Sequence, residues 1–340
     1  MALDKRMAVT LVSMDGSCQS VIDLARHAEE LGYDDLWFSD TGYPDALTMA
    51  GVIASHTKLR MGIAVVPVYP RTPIALAATA ATIAELSSGR FIMGLGSSSQ
   101  AMMEGWHGQQ MEKPLTKVKE TTQLMRSVLA GEKTNFSGST VHSKGYRQKA
   151  SAYPVPIYLA GLRPKMVEMA AEVGDGVILN LFPTDALPRI MEHVAQGAER
   201  AGKNPQDVEV VCRYQIAVLD ETADSMADDA RNHREIFRQS FIPYYATPVY
   251  NNYLEWAGYS EAARCIREGW SEKDREKTTA AMSDELVDAI GIIGSKEYCQ
   301  QRIRDDMARG ITTPIITASS PDPKVCNATL RAFSKAEFAL

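Results

Sequence analysis

The stretch TKLRMGIAVVPVYPRTPIALAATAATIAELSSGRFIMGLGSSS, residues 57–99, decides the reading of the fold. It opens with a continuous apolar run over 60–66, as a strand buried on both faces of a parallel sheet requires. An alanine-rich helical segment follows over 74–86 and stops near Gly89. A second strand is expected over 91–94, and it runs out into Gly96, Ser97, Ser98 and Ser99. Strand, helix and strand within this span form one parallel unit with a right-handed crossover.

The same alternation extends in both directions. Strands are expected over 8–12 and 35–39 before this unit, and over 156–160, 176–181, 208–218 and 312–317 after it. Between them fall helical patterns. The first carries Val21, Leu24, Ala25, Ala28 and Leu31 on one face, with Ser20 as its N-cap and Gly32 at its C-terminal stop. Others are expected over 45–55, 118–129, 164–173, 188–201 and 323–333, and the polar stretch 131–148 suits a loop or small hairpin. Eight strands alternating with helices point to an α/β (β/α)8 TIM barrel, with a doubly wound open sheet as the other arrangement. The segment 221–309 is too long for one crossover and is expected to add several helices between strands seven and eight. The chain then reads as a single barrel domain over 1–340 with a helical insertion at about 221–309.

Composition removes several function classes. Of 340 residues, 45% are hydrophobic and 23% charged, which excludes a disordered or collagen-like chain. The net charge of −6, with no basic block, argues against a nucleic-acid or anionic-membrane partner. No apolar stretch is long enough to span a bilayer, and no signal peptide is evident. Five widely spaced cysteines without a C-x-x-C pair suit free thiols in a reducing cytoplasm. Gly94-Leu95-Gly96 begins like a dinucleotide fingerprint but lacks its third glycine. The six histidines are scattered, with no metal-ligand spacing.

In a barrel, chemistry sits at the C-terminal ends of the strands. Those ends are expected to bring Met14 and Asp15, Ser39-Asp40-Thr41, Ala64-Val65, Gly96-Ser97-Ser98-Ser99, Gly161-Leu162-Arg163, Asn180, and Arg213 or Tyr214. The set is small and polar, and poor in acid–base pairs. It suits a planar cofactor that carries its own reactivity better than it suits hydrolysis. Pro164, in the first turn of a helix, makes Gly161-Leu162-Arg163 an expected anion site.

Several motifs now resemble the bacterial-luciferase-like superfamily. They are Trp37-Phe38-Ser39-Asp40, Ser88-Gly89-Arg90-Phe91-Ile92-Met93-Gly94-Leu95-Gly96, Pro156-Ile157-Tyr158-Leu159-Ala160-Gly161 and Val173-Gly174-Asp175-Gly176-Val177-Ile178. Glu112-Lys113-Pro114-Leu115 and Ile293-Gly294-Ser295-Lys296-Glu297 match as well, so the resemblance covers most of the chain outside 221–279. It implies a barrel that binds coenzyme F420 or FMN. The Gly-Arg-Phe-Ile-Met-Gly-Leu-Gly form is similar to the F420 branch that contains methylenetetrahydromethanopterin reductase. It also implies a small-molecule substrate and a homodimer.

The resemblance assigns roles residue by residue. Asp40 aligns with the aspartate that touches the deazaflavin ring, though an aspartate here also suits a helix cap. Thr41 departs from the histidine that serves dehydrogenase members as a base, and a threonine cannot replace it near neutral pH. Ser99 likewise stands where sugar-phosphate enzymes carry a glutamate. These departures favour reduction of a C=C or C=N bond over alcohol oxidation. Ala64-Val65 aligns with a non-prolyl cis peptide behind the ring. Gly96, Ser97 and Ser98 would lie beside the cofactor, and Gly161, Leu162 and Arg163 would take its phosphate. His107, in the loop after the fourth strand beside Trp106, is a candidate proton donor to the substrate. Tyr244, Tyr245, Tyr250, Tyr253, Trp256 and Tyr259 would wall or lid the pocket, or pack added helices. An FMN-dependent monooxygenase using oxygen, or a barrel that binds flavin without catalysis, are the alternatives.

Overall fold

The computed structural model describes residues 4–10, 16–222 and 225–339. Eight parallel strands close into a barrel: β1 (Ala8–Thr10), β2 (Asp35–Phe38), β3 (Arg60–Ile63), β4 (Phe91–Gly96), β5 (Ile157–Ala160), β6 (Gly176–Asn180), β7 (Glu209–Val218) and β8 (Thr313–Ala318). Each pairs with the next in the chain, and β8 returns to β1 through Ala8↔Ile315 and Thr10↔Thr317. The expectations for Leu11, Val12, Met14 and Asp15 lie outside the described residues.

Helices α1 (Cys18–Glu30), α2 (Ala46–Ala54), α3 (Pro73–Leu86), α4 (Pro114–Leu129), α5 (Pro164–Val173) and α6 (Leu187–Arg200) follow β1 to β6 in turn. Their apolar faces and the outward faces of the strands form the main core. Local chemistry sets their ends. Ser17 caps α1, accepting from the Ser20 backbone N–H, so the cap falls three residues before the expected Ser20. Its backbone is extended, as a cap requires, whereas Ser20 is already helical. Gly32 stops that helix at φ +80°, a backbone that favours glycine. Asp45 and Thr72 cap α2 and α3 in the same way. The fourth helix starts at Pro114, one turn earlier than expected, because proline fits a first turn.

Among the described residues, two strands differ from their expected extents by more than one residue. The run 60–66 is not one strand. It breaks after Ile63 at a cis peptide between Ala64 and Val65, then resumes as Val66–Pro67 against Leu95 and Gly96. The fourth strand reaches Gly96 instead of stopping at Gly94, because that resumed segment pairs with its end. The polar stretch 131–148 does hold a hairpin, Asn135–Ser137 against His142–Lys144.

The long connection between β7 and β8 is helical: α7 (Met226–Tyr245), α8 (Pro248–Ala257), α9 (Ser260–Glu272), α10 (Arg275–Ala280), α11 (Asp284–Ile290) and α12 (Lys296–Ala308). It also holds one short strand, Ile292–Gly294, which pairs with Ile216–Val218 of β7. That pairing explains the length of β7. Its first half joins β6 up to Arg213↔Asn180, and its second half joins the added strand. The insertion has its own apolar cluster, with Phe237, Tyr245, Leu254, Ile266 and Leu286. α13 (Pro323–Ala332) follows β8.

The barrel interior is layered, as side chains of alternating strand positions require. Ala8, Trp37, Ile92, Tyr158, Ile178, Val211 and Ile315 fill the middle. Gly62 leaves space for the Trp37 ring: a Cβ there would lie 2.5 Å from it. Below lies a balanced charge cluster. Asp35 accepts from Arg6 at 2.8 Å and from Arg60, and Arg60 also donates to Glu209 at 2.8 Å. Tyr158 and Thr313 donate to the same Glu209 carboxylate. Two guanidinium groups thus meet two carboxylates, so burial of these charges is offset by direct pairing.

Candidate functional site

The opposite, C-terminal end of the barrel is built from short and polar side chains. Ala64, Val65 and Ala160 are half-buried there above the Trp37 and Tyr158 rings. Gly96 stands against them. A Cβ on it would lie 2.6 Å from Val65 Cγ2 and 3.3 Å from the Ala160 methyl, so this part of the wall is backbone. The Ala64 N–H donates to the Phe38 carbonyl at 2.7 Å, which joins the bend to the end of β2.

The turn after β4 puts Ser98 in the left-handed region, at φ +61°. Non-glycine residues hold that conformation only where their surroundings enforce it. Its hydroxyl contacts Met102 Sδ at 3.4 Å, Ser97 donates to the Ser98 carbonyl, and Ser99 accepts from the Met102 N–H. A π-helical turn, Ala101–Trp106, then carries the chain to His107. His107 and Trp106 are exposed, and His107 makes no side-chain hydrogen bond among the described residues.

On the β2 side, Asp40 is buried and ion-paired with Arg71, which also donates to Asp45 at 2.8 Å. Burial lowers the Arg71 pKa, but the two carboxylates outweigh it and hold the guanidinium charged. Thr41 beside them is exposed. On the β5 side, Gly161 packs against the first turns of α5, where a Cβ would lie 2.8 Å from Val167 Cα. Pro164 occupies the first turn, and no side chain caps the helix. Arg163 is exposed next to those N–H groups, so this end presents positive charge outward.

The last part comes from β6, β7 and the insertion. Arg213 and Asn180 are paired in register. Arg213 reaches across the mouth, with Nη1 donating to Ser39 Oγ at 2.7 Å and Nε to Thr317 Oγ1 at 3.2 Å. Ser39 lies three strands away around the barrel, so this side chain crosses the interior. Tyr250 lies close to both residues, and burial pushes its hydroxyl up to about 12. Tyr245 anchors α7 here by donating to the Leu181 carbonyl at 2.8 Å. Tyr244 packs edge-on against Tyr250, with ring centroids 5.8 Å apart. The insertion therefore walls the mouth with tyrosines. Tyr253 and Trp256 instead stack on one another, and the Trp256 ring lies beside His193 of α6.

The sequence motifs and this geometry agree with a family match. A family model described as luciferase-like monooxygenase covers residues 5–313. The chain belongs to the luciferase-like monooxygenase family. Membership makes it an oxidoreductase of the luciferase-like type. The chain is 31% identical over 301 residues to a 5,10-methylenetetrahydromethanopterin reductase of Methanolobus tindarius, covering 87% of this chain and 89% of that one. It is 25% identical over 336 residues to a putative coenzyme F420-dependent oxidoreductase of Mycobacterium tuberculosis, covering 89% and 92%. In fold it is similar to the coenzyme F420-dependent tetrahydromethanopterin reductase of Methanopyrus kandleri, with a TM-score of 0.80 at 18% identity over 99% and 100% of the two chains. Among the described residues, no helix is long and apolar enough to cross a membrane.

Sequence reasoning missed Arg71. The signal was available: loops after adjacent barrel strands are neighbours, so an arginine after β3 faces an acid after β2. Arg213 had been placed at the strand end, but its reach to Ser39 was not legible. That contact depends on barrel closure, which brings residues 174 positions apart together.

Proposed function

We propose that this chain is a coenzyme F420-dependent oxidoreductase that moves a hydride between the deazaflavin and a small organic substrate, reducing a C=C or C=N bond. The observation that carries this reading is the mouth itself. A wall of Gly96, Ala64, Val65 and Ala160 faces a rim whose buried acid, Asp40, is already paired with Arg71, which suits chemistry carried by a bound group. The similarity to proteins named for F420 supports that choice of group over FMN.

The residues present fit the cofactor. The backbone at Gly96 and the small side chains beside it leave room for a planar ring. Ser97 and Ser98 offer hydroxyls at its edge, and Asp40, fixed by Arg71, offers a carboxylate next to Thr41. Gly161, Leu162 and Arg163, at the uncapped start of α5, suit a phosphate. When bound, the deazaflavin supplies the hydride. The protein's part is to position the substrate over the ring, to exclude water with the tyrosines of the insertion, and to hold charge where it helps binding. Thr41 cannot take a proton from an alcohol, which favours the reductive direction. A proton-donor role for His107 belongs to this proposal, although its exposed position lends it no support. The reading treats residues 1–340 as one domain, working as a homodimer in the cytoplasm.

The test is a tryptophan-fluorescence titration with F420 and FMN in parallel. Trp37 lies buried below the site and reports its occupancy. Micromolar F420 binding with weak FMN binding, followed by anaerobic hydride transfer from reduced F420 to enones or imines, supports the proposal. Preferential FMN binding with oxygen-dependent turnover replaces it by a monooxygenase.

A further inference from the structure

Several arginines drawn into this protein are paired with acids, while Arg90 is satisfied by the backbone carbonyls of Thr57, Leu59 and Ala54. Arg60 meets Asp35 and Glu209, Arg71 meets Asp40 and Asp45, Arg234 meets Asp288, and Arg238 meets Asp284. Arg213 extends through the mouth of the barrel and, among the described residues, has only hydroxyl partners, Ser39 and Thr317. Its Nη2 makes no hydrogen bond among the described residues. Among the described residues its ionisable neighbours are the phenols of Tyr244 and Tyr250, neither of them a carboxylate.

A guanidinium withdrawn from water without a counter-charge is costly to the free protein, and a bound anion removes that cost. The fork is also held in place. Ser39 and Thr317 fix two of its N–H groups, so the Nη2 edge is aimed before any ligand arrives. Beside it, the Asn180 Oδ1 atom is buried with no hydrogen-bond partner among the described residues. An unsatisfied acceptor next to unused donors marks a surface completed by a ligand.

We infer that Arg213 is a specificity-determining residue whose Nη2 edge seats a carboxylate of the substrate, with Asn180 accepting from a neighbouring donor group and Tyr250 closing over both. This rests on the proposed function only in taking the barrel mouth as the site. It narrows the substrate class to anionic molecules bearing the reducible bond. The charge then serves ground-state orientation and takes no part in proton transfer. Burial also lowers the Arg213 pKa, which agrees with a cation lacking its counter-ion.

The experiment uses the full chain and two probes of one shape, benzoate and benzyl alcohol, with binding measured by calorimetry. Wild type is expected to bind benzoate about tenfold or more tightly than the alcohol, the discrimination a charge-assisted pair provides. Arg213→Met is expected to abolish that difference, and Arg213→Lys, which keeps the charge and loses the fork, to retain part of it. F420 affinity, read separately by fluorescence, is expected to stay within about threefold in Arg213→Met. Equal binding of the two probes to wild type overturns the inference, as does benzoate binding unchanged in Arg213→Met. A tenfold loss of F420 affinity in that variant assigns the residue to the cofactor and overturns it too. If either variant fails to fold, the wild-type comparison still decides. Failure of wild type to bind F420 strikes the cofactor reading alone and leaves the benzoate result standing.

Discussion

Arg71, in the loop after β3, donates to both carboxylate oxygens of Asp40 at the end of β2. Its second branch also donates to Asp45, the cap of α2, at 2.8 Å. One guanidinium thus fixes a strand end and a helix start on the proposed cofactor side of the barrel.

Arg71→Ala is therefore expected to release Asp40 while leaving the core intact. Asp40 is buried while Arg71 is partly exposed, so the stability cost should be intermediate, about 2 kcal/mol. F420 affinity should fall about tenfold, because the carboxylate is no longer held. Fluorescence titration beside urea unfolding checks both. Unchanged affinity would remove Asp40 and Arg71 from the cofactor site.

Gly96→Ala tests the bare wall. The new methyl would lie 2.6 Å from Cγ2 of Val65, a β-branched side chain stiff at χ1, and 3.3 Å from the Ala160 methyl. Val65 must move to admit it, so folding should survive at a cost of about 2 kcal/mol. Cofactor binding should weaken by about tenfold or more, since the wall moves into the space the ring requires. Equilibrium titration of the folded variant reads the effect.

Two other glycines predict opposite outcomes. A Cβ at Gly94 would lie 1.7 Å from the Ile63 carbonyl oxygen, and backbone in the barrel wall cannot retreat. Gly94→Ala should cost about 3 kcal/mol or yield insoluble protein. Gly51 lies inside α2, where a Cβ would make ordinary contacts at 3.9 Å with Ile83 and 4.0 Å with Leu86. Gly51→Ala should stabilise by about 0.5–1 kcal/mol. Urea unfolding of the two variants gives both signs.

The charge cluster at the N-terminal end of the barrel predicts a pH effect. Burial alone would raise the Glu209 carboxyl, but the Arg60 contacts, with Tyr158 and Thr313, outweigh it and hold the group below its ordinary 4.5. A carboxyl with a depressed folded value stabilises the protein fully above the unfolded value. That contribution is lost as pH falls through the folded one. Glu209→Gln should cost about 3 kcal/mol near pH 7, and the gap from wild type should narrow as pH drops below 4.5. Unfolding curves across acidic pH measure it. A gap independent of pH would show that the carboxylate charge is not what stabilises the barrel.

Much of this molecule was written in local pattern. The apolar runs, the caps at Asp45 and Thr72, the proline that starts α5 and the stop at Gly32 are decided by residues within a few positions of one another. Such features follow from backbone preference and periodicity, so eight strands, their helices and the barrel they close were legible in the residues alone. Motif order also determined the family and the strand ends that form the mouth. The partnerships across that mouth emerge only once the barrel is closed. Arg60 finds Glu209, Arg71 finds Asp40, and Arg213 finds Ser39 and Thr317 but no acid among the described residues. These residues are far apart in the chain, and their charges look alike in sequence. Whether each is neutralised or left to attract a ligand depends on which side chains closure of the barrel brings within a few ångströms, because a charge pairs by distance and not by position in the chain.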